Sequence, residues 1–273
     1  IYAQGEEPQV DKFTDLIRTM PPKRAAILKM DIKDKVVPAY DDFNIIESAK
    51  TTGEIFVSPD IAICDECLEE LFDKNNRRYL HPFINCTCCG PRLTILDALP
   101  YDRERTSMKE FPMCPDCAKE YYDPATRRYD AQPVCCNKCG PEVFILDDEE
   151  NRKGREAITY VRKVIADGGI AAIKGIGGFH LACNAYDNDA VKRLRELKHR
   201  PSKPFALMMR NEEEVLKNCY IEDYQRSILT GHQKPIILLK RREDSMLAEQ
   251  AAPDNPMLGC MLPYAPVQSL IFD

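Results

Sequence analysis

No stretch of this 273-residue sequence approaches the ~18 consecutive apolar residues of a membrane-spanning helix, which excludes an integral membrane protein of that kind. An excess of positive charge is missing as well. Against 38 Lys and Arg stand 44 Asp and Glu, giving a net charge of −6 and a pI near 5.4. That argues against bulk electrostatic capture of nucleic acid and leaves such a role to a local basic patch. No signal peptide or other targeting pattern opens the chain, which starts at Ile1 and reads as a piece of something longer. Cysteine is absent from residues 1–52 and then abundant: ten of the thirteen fall in 53–147, mostly as C-x-x-C pairs. Without a secretory signal such pairs point to metal binding in a reducing cytoplasm, not to a disulfide framework. Long apolar runs are scarce in that same stretch, so something other than burial must staple it. The remainder is ordinary. With 44% hydrophobic and 30% charged residues this is a soluble globular composition, and at ~150 residues per domain the length allows about two domains.

The chain has three textures. In residues 1–52, Val10, Phe13, Leu16, Ile17 and Met20 recur at helical spacing ahead of Pro21-Pro22, and strands are predicted over Ala26–Ile32 and Phe43–Ile46. Such a module is too short to close a core of its own. Residues 155–273 alternate, with helices predicted over 156–167, 189–198 and 212–217 and strands over 170–174, 179–183, 205–209 and 235–239. That alternation predicts a mixed α/β sheet. The chain stops at Asp273 just after an apolar segment begins, as a truncated domain would.

The middle stretch matches itself at an offset of 50 residues. Cys64, Cys67, Cys86 and Cys89 fall on Cys114, Cys117, Cys136 and Cys139, and Glu70, Arg77, Arg78 and Tyr79 on Glu120, Arg127, Arg128 and Tyr129. This is an internal duplication. Each half reads C-x2-C-x18-C-x2-C, the spacing by which two tight knuckles present four sulfurs to one tetrahedral zinc. Cys88 falls on Lys138 and Cys135 on Asn85, so the repeat assigns neither of them to a metal. Free thiols, or knuckles shared crosswise between halves, are the alternatives. Four-cysteine sites are closed, so these zincs are expected to be structural. Arg77-Arg78-Tyr79 and its copy form a partner surface or, as is expected, place the tyrosine over the knuckle and pair the arginines with Asp73 or Asp123. Pro82-Phe83, Pro100–Arg103 and Met108 are expected to fill the space between the halves.

Two further features bear charge. Lys174-Gly175-Ile176-Gly177-Gly178-Phe179-His180 is a glycine turn between strands that would let backbone approach an anion, or it is a plain tight turn. It matches neither phosphate-loop pattern. Lys192, Arg193, Arg195, Lys198, Arg200 and Lys203 crowd twelve residues, opposed by Glu196 alone. A solvated helix face explains the first members; a triphosphate site better explains Lys198, Arg200 and Lys203, which lie in a proline-held loop. His180 is a core-edge histidine or a substrate contact. Cys183, Cys219 and Cys260 are expected to be structural.

The double four-cysteine array, followed by Lys174–Cys183 and by Lys-His-Arg-Pro-Ser-Lys-Pro-Phe-Ala at 198–206, resembles the hydrogenase-maturation carbamoyltransferase (HypF) family along essentially the whole chain. The resemblance implies an α/β and α+β multidomain fold. Residues 1–52 would be the end of an acylphosphatase-like α+β domain, 53–147 a tandem zinc-finger module (64–89 and 114–139), and 155–273 a truncated YrdC-like nucleotide-binding domain with a twisted mixed sheet. It implies an enzyme that draws carbamate from carbamoyl phosphate, activates it with ATP and Mg²⁺ as carbamoyl-AMP, and passes the carbamoyl group to the C-terminal Cys of HypE. Lys174, Lys198, Arg200 and Lys203 would bind the nucleotide, and His180 is the candidate for a catalytic contact. By itself this piece is expected to be inactive. Where the family pattern usually has His, Asp, Thr and His, this sequence has Asp130, Asn184, Ala265 and Gln268. The alternative is a zinc-ribbon and YrdC-like protein that binds RNA or acts in tRNA threonylcarbamoylation, double-stranded RNA being a partner by YrdC-like analogy alone.

Overall fold

The computed structural model describes residues 1–22, 24–25, 27, 29–36, 38–39, 41–42, 44, 57–146 and 149–273. The chain divides into two units, Ile1–Glu54 and Ile55–Asp273. In the first unit, α1 (Glu7–Thr19) has a Pro in its first turn, where no N–H is needed, and ends ahead of Pro21-Pro22. Its apolar stripe stays largely uncovered: the helix has no buried residue. Of the strand expected over 26–32, residues 29–32 lie in no strand, while Ala26 and Leu28 fall outside the described residues. So does the strand expected over Phe43–Ile46, apart from Asn44.

The second unit begins with the cysteine repeat. Helices α2 (Asp65–Phe72) and α3 (Pro115–Tyr122) each start on the first cysteine of a half, with Cys64 and Cys114 as N-caps. The repeat extends to backbone conformation, since the matched residues Leu80 and Asp130 are both left-handed (φ 54° and 52°). Asp tolerates that region through local hydrogen bonding, and the Asp130 carboxylate accepts from Tyr121 Oη and Gln132 Nε2. The residues expected to fill the space between the halves divide: Phe83 and Pro100 are exposed, while Arg103 and Met108 turn inward. Arg103 donates to the carbonyls of Gln132, Val134 and Phe111, and Met108 is buried.

The α/β part follows. Helix α4 (Gly154–Ala166) leads into the antiparallel hairpin of β1 (Ala171–Lys174) and β2 (Phe179–Ala182), closed by a Gly175 N–H to Gly178 O bond. Gly177 takes φ 88° in that turn, which a side chain would resist. Asp187 caps α5 (Asn188–Leu197) by accepting from the N–H groups of Asp189 and Ala190. Next come β3 (Ala206–Met208), α6 (Glu212–Asn218), β4 (Cys219–Tyr220), α7 (Asp223–Thr230), β5 (Ile237–Arg241), β6 (Met257–Met261) and α8 (Pro266–Phe272). The four-stranded sheet has the order β3-β6-β5-β4, parallel between β3 and β6 and antiparallel elsewhere, so it is mixed as predicted. Strand alternation sends Leu239 into the core while Leu238 faces out. Val191, Leu207, Val215, Leu229 and Leu258 complete that core.

The cysteine repeat and the α/β part share a second core. Ile63, Leu71, Ile84 and the thiols of the first half pack with Ile158 of α4 and Leu270 of α8. Backbone bonds from Ala62 N to His232 O (2.8 Å) and from Ile63 N to Tyr264 O (3.0 Å) stitch the same boundary. Among the described residues no helix is long and apolar enough to cross a membrane.

Candidate metal centres and basic loop

The first knuckle of each half is built by a helix start. The Cys67 N–H points at Cys64 Sγ (3.4 Å) and the Cys64 N–H at Cys89 Sγ (3.3 Å), so partial positive charge faces the sulfurs. The eight thiols gather in sequential fashion: Cys64, Cys67, Cys86 and Cys89 in one group, Cys114, Cys117, Cys136 and Cys139 in the other, each within 4.8 Å. Crossed pairing is not what the fold brings together. Sulfur–sulfur separations are 3.4 and 3.9 Å in the first group and 3.6, 3.8 and 3.9 Å in the second. A tetrahedral zinc at Zn–S ≈ 2.3 Å has edges of about 3.8 Å, so the donor set fits that ion in identity, number and size.

The electrostatics agree. Hydrogen bonds with Cys67 and Cys89 draw the Cys64 thiol down to about 5 against the opposing effect of Cys86. Bonds with Cys64, Cys67 and Cys89 draw Cys86 far below its ordinary range, and Cys67 and Cys89 are pushed far up. In the second group Cys114, although burial opposes it, is drawn to about 7 by backbone and thiol hydrogen bonds, and burial raises Cys117 and Cys136. Four such sulfurs cannot all ionise unless a cation shares them.

Cys88 and Cys135 stand outside both groups. Cys88 is exposed. Cys135 is buried, its thiol pushed up to about 12 by desolvation, and lies 3.2 Å from His81 Nε2. His81 in turn puts Nδ1 2.9 Å from Asn137 Oδ1, which assigns the proton to Nδ1 and lets the Cys135 thiol donate to Nε2. Burial holds that imidazole neutral, down to about 4. The contact welds the halves together, and it leaves no room at Gly140, where a Cβ would come 2.8 Å from Cys135 Sγ.

The arginine pairs depart from expectation. Arg77 and Arg78 pair with Glu120, and Arg127 and Arg128 with Glu70, each across to the other half and not to Asp73 or Asp123. The cause is burial: Arg78 and Arg128 are 1% and 4% exposed, and Glu70 and Glu120 sit on inner helix faces, whereas Asp73 and Asp123 cap turns at the surface. Burial disfavours ionisation of both glutamates, but the arginine bonds outweigh it and hold them below the ordinary range. Tyr79 is half-buried with the Arg155 guanidinium of α4 stacked 5.2 Å from its ring centre.

Beyond α5 the chain turns at His199, left-handed at φ 48°, before the prolines arrive. The loop is braced by Arg195, a member of the crowded basic cluster but one to which the sequence assigned no phosphate role. It is 5% exposed, stacks 4.5 Å from the Phe205 ring, and donates to the carbonyls of Arg200 (2.6 Å), Lys203 (3.1 Å) and Gln250 (3.1 Å). Lys198 and Lys203 are exposed. Arg200 stacks on Phe205, donates to Pro204 O, and keeps its Nε buried without a partner. Lys174 lies on the hairpin with its ammonium 5.2 Å from the Phe179 ring centre. Among the described residues no hydrogen bond, ion pair or ring contact joins Lys174 to the loop cations. His180 Nε2 meets Tyr264 Oη at 3.2 Å, beside the glycine turn; Tyr264 carried no signal in the sequence. Gln268 caps α8, its Oε1 accepting from the N–H groups of Tyr264 and Ala265. Cys219 and Cys260, expected to be structural, are buried and bring their thiols within 3.6 Å.

A family model described as the HypF finger matches twice, at residues 63–96 and 113–146, each match enclosing one four-thiol group. Carbamoyltransferase HypF of Synechocystis is 44% identical over 99% of this chain. Along its whole length the chain is similar to the HypF family. A second model, described as telomere recombination (Sua5/YciO/YrdC), matches residues 163–273. HypF2 of Cupriavidus necator is 45% identical over the whole chain. A crystal structure of full-length HypF in a phosphate- and nucleotide-bound form superposes with a TM-score of 0.88 at 45% identity, over 98% of this chain and 35% of that one. HypF of T. kodakarensis gives 0.83 at 40%, over 99% and 34%. The chain thus spans about a third of the HypF relatives it matches, 36% of the Synechocystis protein and 34% of HypF2.

Proposed function

We propose that this chain forms the zinc-stapled middle and the nucleotide-activating part of a carbamoyltransferase of nickel–iron hydrogenase maturation. The observation that supports this most is the co-occurrence of two four-thiol groups and a Sua5/YciO/YrdC-type stretch, aligned along its full length with proteins named carbamoyltransferase HypF. In this reading 1–52 ends an acylphosphatase-like domain, 53–147 is the tandem finger, and 155–273 is YrdC-like. Each four-thiol group holds one zinc, closed to water and substrate, whose contribution is to folding. Metal analysis is expected to give two ions per chain, with Cys88→Ser keeping both and Cys89→Ser losing one. A Cys88→Ser chain that lacks an ion would overturn this ligand assignment.

In the longer protein, Lys174, Lys198, Arg200 and Lys203 neutralise the triphosphate of ATP while an oxygen of carbamate, derived from carbamoyl phosphate, attacks the α-phosphorus and pyrophosphate leaves. The C-terminal Cys thiolate of a HypE-type partner then attacks the carbamoyl carbon of the resulting adenylate, forming the C–S bond as the C–O bond breaks and AMP leaves. The unpartnered Arg200 Nε and the two lysines, which make no ion pair with a described residue, favour an anion at the loop. His180, next to Tyr264, is the substrate contact. This stretch alone binds ATP in the millimolar range, about 4 kcal/mol, and does not adenylate. Calorimetric titration of ATP into a full-length protein carrying it tests the assignment. Lys198→Ala and Arg200→Ala are each expected to weaken binding by about 1–3 kcal/mol. Unchanged affinity in both would return the loop cations to a solvated surface.

A further inference from the structure

The two halves of the repeat exchange their cations. Arg77 Nη1 lies 3.2 Å from Cys117 Sγ and 4.0 Å from Cys114 Sγ; Arg78 Nη2 lies 3.6 Å from Cys117 Sγ. In mirror fashion Arg127 Nη1 lies 3.1, 3.5 and 3.7 Å from Cys86, Cys67 and Cys64, and Arg128 Nη2 lies 3.9 Å from Cys67. Among the described residues, every cationic side chain bonded to a ligand sulfur comes from the opposite half. The anchors repeat too. Glu70 stands three residues beyond Cys67 on α2, and Glu120 three beyond Cys117 on α3, so each glutamate shares a helix face with a ligand and draws the incoming arginine onto the sulfur. The second arginine of each pair reaches further. Arg78 Nε donates to Cys135 O and Arg128 Nε to Asn85 O, the carbonyls just before Cys136 and Cys86.

We propose that Arg77 and Arg127 are positioning residues that act in trans, each holding the thiolates of the other half's metal centre, so that neither half retains its ion at full strength alone. The inference rests on the zinc reading above. A zinc held by four thiolates is a dianion, and burial makes that charge costly unless N–H donors and cations surround it. The helix starts give each half its own backbone N–H groups, but its cations come from the other half. Coupling by this route is reciprocal in design and specific in direction: loss of an arginine numbered in one half is felt at the ion of the other.

The test uses the whole chain with both centres loaded with cadmium-113, whose two NMR resonances are assigned by Cys89→Ser and Cys139→Ser. Chelator-driven release is followed at each resonance. Arg127→Gln is expected to speed release from Cys64/Cys67/Cys86/Cys89 by ten- to a hundredfold and to leave the other centre within about threefold; Arg77→Gln is expected to do the reverse. The retained centre reports that the fold is intact. If Arg127→Gln loses both ions, Arg127→Lys decides, since it keeps the charge but not the planar fork. Faster release confined to the opposite centre supports the proposal. Faster release at the same-half centre, at both equally or at neither, overturns it. A parent chain that takes up no metal overturns this inference and the zinc reading together, whereas two tightly held ions with no crossed effect overturn this inference alone.

Discussion

Stripping both ions with a chelator is expected to unfold residues 62–146, seen as a loss of far-UV ellipticity from α2 and α3 and of amide protection throughout the repeat. The argument is one of magnitude. A structural zinc contributes on the order of 10 kcal/mol per site, as much as the whole net stability of an ordinary domain. The repeat has little else to set against that loss. Around the second group, the buried cluster consists of Cys114, Cys117 and Cys136 with Met113 and Cys139 at its margin. The first group is better supplied, through Ile63, Leu71, Ile84, Ile158 and Leu270. Protection is therefore expected to vanish first from residues 113–146 and only then from 63–96. A metal-free chain that kept its ellipticity and a single cooperative transition would refute the claim that metal holds this stretch.

Arg195→Ala is expected to destabilise the chain by about 3 kcal/mol or more in chemical denaturation, the largest effect of any single cation in the basic cluster. The guanidinium donates to three backbone carbonyls on two segments, the 200–203 loop and Gln250, from a site 5% exposed. A carbonyl buried without its donor costs about 1–3 kcal/mol, and a hydrogen bond from a charged group is at the strong end of that scale. Arg195→Lys should recover less than half, because one ammonium cannot span Arg200, Lys203 and Gln250 as a planar fork does. Lys192→Ala, on an exposed part of the same helix, should stay within about 0.5 kcal/mol of the parent. Equal effects for residues 192 and 195 would mean that the brace is not one.

The repeat was the most legible part of the sequence, because the offset of 50 residues compares the chain with itself and needs no knowledge of folding. It picked out the eight knuckle cysteines and set Cys88 and Cys135 aside, leaving sequential and crossed pairing both open. The arginines show where that comparison stops. An offset aligns Arg77 with Arg127 and Glu70 with Glu120, but it is blind to whether a contact closes within a half or across to the other. Choosing the nearby Asp73 and Asp123 followed chain distance, while burial chose the glutamates. Helices α2 and α3 carried signals that the cysteines obscured: acids at Asp65 and Glu66, and Pro115 in a first turn. In the α/β part the periodic elements were legible to within a few residues. The two-residue β4, the strand β6, whose Gly259 and Cys260 break the expected β-branched pattern, and the helices α7 and α8 were not. Lys174 and the loop cations were grouped by charge, and charge alone carries no distance.

The shared core around Ile158 and Leu270 bears on how the molecule can be dissected. A cut between residues 146 and 154 looks natural on paper, since it falls between the last knuckle and α4. It would leave Ile158 and Leu270 facing water on one product and Ile63, Leu71 and Ile84 on the other. The bonds from Ala62 to His232 and from Ile63 to Tyr264 would lose their partners at the same stroke. Two sticky pieces would result, each inclined to rejoin or precipitate, where two excisable modules were wanted.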